Sequence, residues 1–134
     1  MPTPLLPDPT VVARQALVAQ SAITDTVGQR VYYAVPADPT YPLLVLSLVD
    51  DDELRPETLT ARVQVDVWGK GNSTQDVLDC KAIAARVRSV ARDLRGTWAA
   101  GTVSNSVAGL IVPNPDDTTG RARAVVDLLL EINQ

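Results

Sequence analysis

Residues 69–74 have the composition of a phosphate-binding loop and lie between a predicted strand and a predicted helix. They read Gly-Lys-Gly-Asn-Ser-Thr, and the amides of such a turn can hold phosphate oxygens while a lysine supplies positive charge. The spacing does not fit, because a Walker loop has its lysine and hydroxyl after the second of two widely spaced glycines, whereas Lys70 precedes Gly71. A tight turn followed by a helix cap explains the segment, so a small nucleotide-binding domain is the less favoured interpretation.

The usual catalytic and metal-binding side chains are scarce in this chain. Its 134 residues include no histidine and one cysteine, Cys80. Without histidine, the commonest general base and the usual partner of a serine or cysteine nucleophile are missing. A single cysteine forms neither an intrachain disulfide nor a paired-cysteine metal cluster, and Cys80 falls on the apolar side of a predicted helix, where it should pack as a small hydrophobic residue. We therefore predict no enzyme, no cofactor, and no catalytic or metal-binding residues.

An acidic run between two predicted strands is the remaining candidate for chemistry. Its charged residues are Asp50, Asp51, Asp52, Glu53 and Arg55. Carboxylates can bind a divalent cation, but this run lacks the alternating ligand spacing of a calcium loop. Adjacent like charges favour an exposed loop. From the residues alone we interpret this segment as a solvated hairpin loop, with a partner-facing loop formed by these five residues as the alternative.

Strict alternation marks a strand near the middle of the chain. Apolar residues occupy positions 61, 63, 65 and 67, and the other face carries Arg62, Gln64, Asp66 and Trp68. This period of two indicates a strand with one buried face. After the Gly-Lys-Gly turn, apolar residues recur at three- and four-residue spacing from 77 to 94, as on one side of a helix. Strand and helix can therefore cover each other.

Residues 121–132 form a second segment in which apolar and polar residues alternate. Its Ala, Leu, Arg and Glu content favours a helix, but its alternation favours a strand, which we predict. Arg123 and Asp127 lie on its polar face. Together with Arg62, Gln64, Asp66 and Trp68 they form a candidate subunit interface, because charged and aromatic mixtures suit such contacts. An ordinary solvated sheet face is the alternative.

These elements predict one α+β domain over residues 1–134: a mainly antiparallel sheet of four or five strands with two helices packed on one face. The other predicted elements, in chain order, are an extended and poorly ordered arm over 1–8, a helix from Pro9 to about Ala22 capped by Asp8, a short strand over 31–35, a buried strand over 43–49, a second helix from about Ser73 to near Gly96, and a strand over 103–112.

Charge and hydropathy exclude further classes of protein. The 12 basic and 16 acidic residues give a net charge of −4, which argues against wrapping nucleic acid by neutralising phosphates. No segment approaches the roughly 20 apolar residues that a membrane helix needs, and the N-terminal residues lack the pattern of a signal peptide. We expect the chain to fold in the cytosol.

The order of these segments resembles the tail terminator (tail completion) proteins of long-tailed bacteriophages. The resemblance rests on the Ala-Arg-Val-Gln-Val-Asp-Val-Trp run at 61–68 with its turn and helix, and it extends over nearly all of the chain beyond residue 8. The other segments that contribute are an N-terminal helix, Val-Gly-Gln-Arg-Val-Tyr at 27–32, Pro-Leu-Leu-Val-Leu at 42–46, and the closing strand at 121–132.

This resemblance implies a structural virion protein without a cofactor or membrane. Such a protein forms a ring, usually of six subunits, on the head-proximal end of the tail tube, where it stops polymerisation and offers a surface to the head connector or head-closure protein. It is assembled in the host cytoplasm, and DNA passes through its channel without specific binding. The resemblance also favours a partner-facing or channel-facing position for the acidic run, whose negative charge would keep DNA from adhering there. The alternative is another ring-forming part of the virion, such as a head-closure or tail-tube subunit.

Overall fold

The computed structural model describes residues 7–55 and 58–133. Most of the predicted arm therefore lies outside the described residues. The helices are α1 (Pro9–Val18), α2 (Ser21–Val27), α3 (Thr74–Ser89) and a 3-10 helix (Ala91–Leu94). The strands are β1 (Val31–Tyr32), β2 (Leu43–Arg55), β3 (Thr58–Trp68), β4 (Gly96–Trp98), β5 (Gly101–Pro113) and β6 (Arg123–Asn133). No helix within these ranges is both long enough and apolar enough to cross a bilayer.

The strands form one sheet in the order β1-β2-β3-β6-β5-β4. All neighbours are antiparallel except β1 and β2, which are parallel. The predicted α+β class is confirmed, but the prediction of four or five strands is wrong, because the described residues form six strands in a mixed sheet. The short strands β1 and β4, of two and three residues, are too brief to show a period of two, and the predicted strand over 31–35 shrinks to β1.

The first predicted helix is two helices in the structure. The cap is as predicted, since the Thr10 amide donates to Asp8 Oδ1 at 2.9 Å. The chain then breaks after Val18, and Gln20 Nε2 donates to the carbonyl of Ala16, at 3.2 Å. After this break, α2 places Ile23 in the core. The prediction of two helices is therefore wrong for the described residues, which form three α-helices and a 3-10 helix.

The helix after the turn begins as predicted and ends earlier. Ser73 and Asp76 form a capping box, in which the Asp76 amide donates to Ser73 Oγ and the Ser73 amide donates to Asp76 Oδ2, both at 3.1 Å. The α-helix stops at Ser89, and the 3-10 helix continues the apolar stripe to the buried Leu94. The stripe therefore crosses two elements.

The core lies between the helices and one face of the sheet. It is aliphatic, with the sheet side supplied chiefly by alternate residues of the two central strands, Val63, Val65, Val67, Ala124, Val126, Leu128, Leu130 and Ile132. The predicted alternation of both strands is confirmed. Residues 123–133 form a strand because β3 and β5 pair with both of their edges.

Candidate functional site

The face of the sheet opposite the helices carries all six predicted interface residues. We call it the open face. Direct cross-strand partners on β3 and β6 are Trp68 with Arg123 and Gln64 with Asp127. Arg62 and Asp66 lie on the same strand face by the alternation of β3. The structure therefore brings together residues that are about 60 positions apart in the chain.

Several side chains of the open face are held in place by contacts with one another and with the backbone. The Arg123 guanidinium lies over the Trp68 ring, 4.8 Å from its centroid, and its Nε donates to the Asn114 carbonyl at 2.8 Å. Gln64 Nε2 donates to Asp66 Oδ1 at 2.8 Å. Trp68 Nε1 is buried and has no hydrogen-bond acceptor among the described residues, an uncommon condition for a buried donor. The face combines an ordered aromatic and arginine pair with polar neighbours, a composition that suits protein contacts.

Apolar residues of β5 enlarge the open face, and sequence reasoning missed them. Val107 pairs with Leu129 and Val112 pairs with Val125. Val107 and Val112 are about half exposed, and Leu110 is 77% exposed. A bulge between Ala108 and Ile111 interrupts the alternation of β5, so the sequence of this strand does not show which residues share a face.

The acidic run lies on a strand, which corrects the predicted loop. The backbone of β2 pairs with β3 as far as Arg55, with Asp50 opposite Arg62 and Asp52 opposite Thr60. Asp50, Asp51 and Asp52 keep exposed side chains, so the strand forms without burying these charges. Glu53 shares the strand, but its side chain and that of Arg55 lie outside the described part. The predicted strand over 43–49 is buried only near its start, because Leu48 and Val49 are 43% and 48% exposed.

The Gly-Lys-Gly turn is bonded to its own chain. The Gly69 amide donates to the Ala122 carbonyl at 2.8 Å, and the Ala122 amide donates to the Gly71 carbonyl at 2.7 Å. The Asp76 carboxylate of the capping box occupies the start of α3, where a phosphate would have to bind, and its charge would repel that phosphate. The geometry fits a turn and a cap.

Cys80 packs in the core beside this turn. Its thiol Sγ donates to the Ala122 carbonyl at 3.5 Å. Burial, with smaller contributions from the negative charges of Asp76 and Asp79, raises the pKa of the Cys80 thiol from 9.0 to about 11, which makes it a poor nucleophile. Within the described residues, no group of three or more cysteine and acidic side chains converges on a metal-sized site.

Comparison with known proteins relates this fold to phage tails. The sequence model of a family described as "Tail completion protein gp17" matches residues 13–129. No curated protein matches the sequence. Among solved structures, the chain is similar to one from "Virion of native gene transfer agent (GTA) particle", with 17% identity and a TM-score of 0.66 over 93% of this chain and 94% of that one. At this identity, the likeness shows a shared fold.

Proposed function

This chain belongs to the tail completion protein gp17 family, and from this premise we propose that it forms a ring on the head-proximal end of a phage tail tube. Family membership makes it a structural protein of a phage tail. In the proposed role, the ring stops tube polymerisation and provides the surface to which the head joins. A ring of six subunits is the expectation carried over from the family resemblance.

The physical requirement for this role is a subunit with two unlike surfaces. A tube of identical rings exposes the same growing end after each addition, so termination requires a subunit that fits this end and presents something different beyond it. The observation that carries the proposal is the two-sided sheet: helices cover one face, and the open face carries Trp68, Arg123 and their polar neighbours. The open face can thus hold neighbouring subunits together while the helix-covered side stays available for a different contact.

Roles for the predicted residues follow from this arrangement. The open face, with Arg62, Gln64, Asp66, Trp68, Arg123 and Asp127, is proposed as a subunit contact of the ring. The exposed carboxylates of Asp50, Asp51 and Asp52 are proposed to face a partner or the channel, beside Glu53 and Arg55. The proposed partners are further copies of this chain, the tail tube protein, and the head connector or head-closure protein. The net charge of −4 is consistent with DNA passing without specific binding.

Deletion of the gene tests the proposed role. Particles made without the protein should contain tails of uncontrolled length that fail to join heads, as measured by electron microscopy, and a wild-type copy of the gene should restore both properties. Tails of normal length that do not join heads would overturn the proposal in favour of head closure. Absence of tubes would overturn it in favour of a tube subunit.

A further inference from the structure

A groove lies between the C-terminal end of α3 and the outer edge of β5. It has a volume of about 300 Å³, and its lining residues are Arg88, Ala91, Arg92, Ser106, Val107 and Ala108. We call it the arginine groove. Within the described residues, β4 pairs with β5 only at Gly101, Thr102 and Val103. The part of β5 beside the groove therefore has a free edge, whose backbone donors and acceptors can pair with another strand.

A buried hydroxyl in the arginine groove lacks a partner. Ser106 is 4% exposed, and its Oγ has no hydrogen-bond partner among the described residues. Buried polar side chains nearly always have such a partner, so this hydroxyl indicates that the groove receives a polar group from outside. Arg88 and Arg92 are exposed at the same groove. Their two positive charges favour an acidic occupant.

A complementary segment lies on the opposite side of the same sheet. β1 pairs with β2 at Leu44 and Val45, so beyond these positions β2 also has a free edge within the described residues. Residues 48–52, which we call the acidic edge, combine the exposed apolar side chains of Leu48 and Val49 with three exposed aspartates. Their charge is opposite to that of the arginine groove, and their apolar residues can contact Val107, which borders the groove and is 48% exposed on the open face.

Strand direction allows these two edges to meet in a ring. β2 is antiparallel to β3, β3 is antiparallel to β6, and β6 is antiparallel to β5, so β2 and β5 run in opposite directions. In a ring whose copies share one orientation, β2 of one copy would approach β5 of the next in the antiparallel sense. A contact between two different edges is heterologous, and repetition of such a contact forms a ring when the rotation between neighbouring copies closes.

We propose that the acidic edge of one copy docks in the arginine groove of the next copy, with its carboxylates facing Arg88 and Arg92. The Ser106 hydroxyl then bonds to a polar group of the incoming segment. This inference rests on the proposed ring and names one of its contacts. It adds a lateral contact, through the sheet edges, to the proposed contact of the open face.

Reciprocal charge reversal tests the contact. The acidic-edge variant carries Asp50→Lys, Asp51→Lys and Asp52→Lys, and the groove variant carries Arg88→Glu and Arg92→Glu. Each variant alone places like charges at every contact, so its self-association should weaken at least about tenfold. In an equimolar mixture, the lysine-bearing edge of the acidic-edge variant meets the glutamate-bearing groove of the groove variant. The native acidic edge of the groove variant meets the native arginine groove of the acidic-edge variant. Alternating copies should therefore restore association.

Association is measured by analytical ultracentrifugation of the purified proteins and by the amount of each variant in tails from complemented cells. The exposed substitutions Asp25→Lys and Lys81→Glu, which lie on α2 and α3 outside the two patches, are matched controls and should assemble normally. Restoration in the mixture also shows that both variants fold. If a multiple variant does not fold, Asp51→Lys and Arg92→Glu provide the same test with one charge each.

Two results would overturn the inference while the ring proposal stands. One is native-like assembly of either charge variant alone, and the other is failure of the mixture to recover while each folded variant is defective. The first result includes the case in which the groove variant is defective and the acidic-edge variant assembles normally, which would mean that the groove contacts something other than the acidic edge. A native protein that is monomeric both in solution and in tails would instead overturn the proposed function.

Discussion

Trp68→Glu should separate the stability of the subunit from its assembly. In the free subunit, the substitution removes the stacking of Arg123 on the indole ring at 4.8 Å, an interaction worth about 0.5–1 kcal/mol at exposed sites. It also removes a buried indole N–H without a partner, a group that costs about 1–3 kcal/mol to desolvate. The new carboxylate lies opposite Arg123 across the strands and gains up to about 1 kcal/mol from that pair. These contributions favour the variant by about 0–3.5 kcal/mol, and the lost apolar contacts of the partly buried indole ring oppose them by about 1.5–3 kcal/mol. We therefore expect the free energy of unfolding to change by no more than about 3 kcal/mol.

In a ring that buries the open face, the carboxylate introduced by Trp68→Glu would lose its hydrating water, and Arg123 would compensate for this loss only in part. Leaving a charge uncompensated at a buried contact costs about 3–5 kcal/mol. With allowance for the Arg123 pair, about 2–4 kcal/mol falls on assembly, which corresponds to an association about 30- to 700-fold weaker, since 1.4 kcal/mol is a factor of ten. The variant should therefore fold and fail to cap tails.

The assay combines urea unfolding of the purified subunit with complementation of a phage that lacks the gene, scored by tail length in electron micrographs. Leu78→Glu is the matched control, because Leu78 is 52% exposed on α3, away from the open face. It should leave both stability and tail length unchanged. A folded Trp68→Glu protein that still forms rings and restores normal tail length would refute the assignment of the open face to a contact.

Four further predictions concern the turn, the thiol and the acidic strand. Gly69→Ala places a Cβ 2.7 Å from Cys80 Sγ and should lower the free energy of unfolding by about 1–3 kcal/mol, and urea unfolding should show a smaller loss in a Cys80→Ala background. The folded Cys80 thiol has a pKa raised from 9.0 to about 11, so the stability it contributes is present below pH 9.0 and should fall as the pH rises towards 11, as measured by unfolding across that range. Titration with ATP should show no saturable binding, and binding abolished by Lys70→Ala would contradict the turn-and-cap interpretation. Because Asp50 pairs with Arg62, amide exchange along β2 should be slower than in the turn at 116–119, and equally fast exchange in a monomeric sample would contradict the strand.

Local signals in the sequence determined the central elements of the fold. The strands β3 and β6 could be predicted from the sequence because each has one face against the core and one open face. That difference gives apolar and polar residues in alternation along the strand. The helix caps at Asp8 and Ser73 could also be predicted, because a capping side chain bonds to an amide only two or three residues away. The six candidate interface residues could be named for the same reason, because the face of a strand follows from its period.

Only the tertiary structure decided which of these residues become neighbours and which local tendencies are overridden. The acidic run favours a loop through repulsion between adjacent carboxylates, yet pairing with β3 holds its backbone in a strand while the side chains of Asp50, Asp51 and Asp52 remain in solvent. Trp68 meets Arg123 through the register of two strands, and Ser106 lines the same groove as Arg92 because the helix layer packs on β5. Such contacts depend on strand pairing and packing between residues that are far apart in the chain. Their energies add up over many residues, so no short stretch of sequence predicts them.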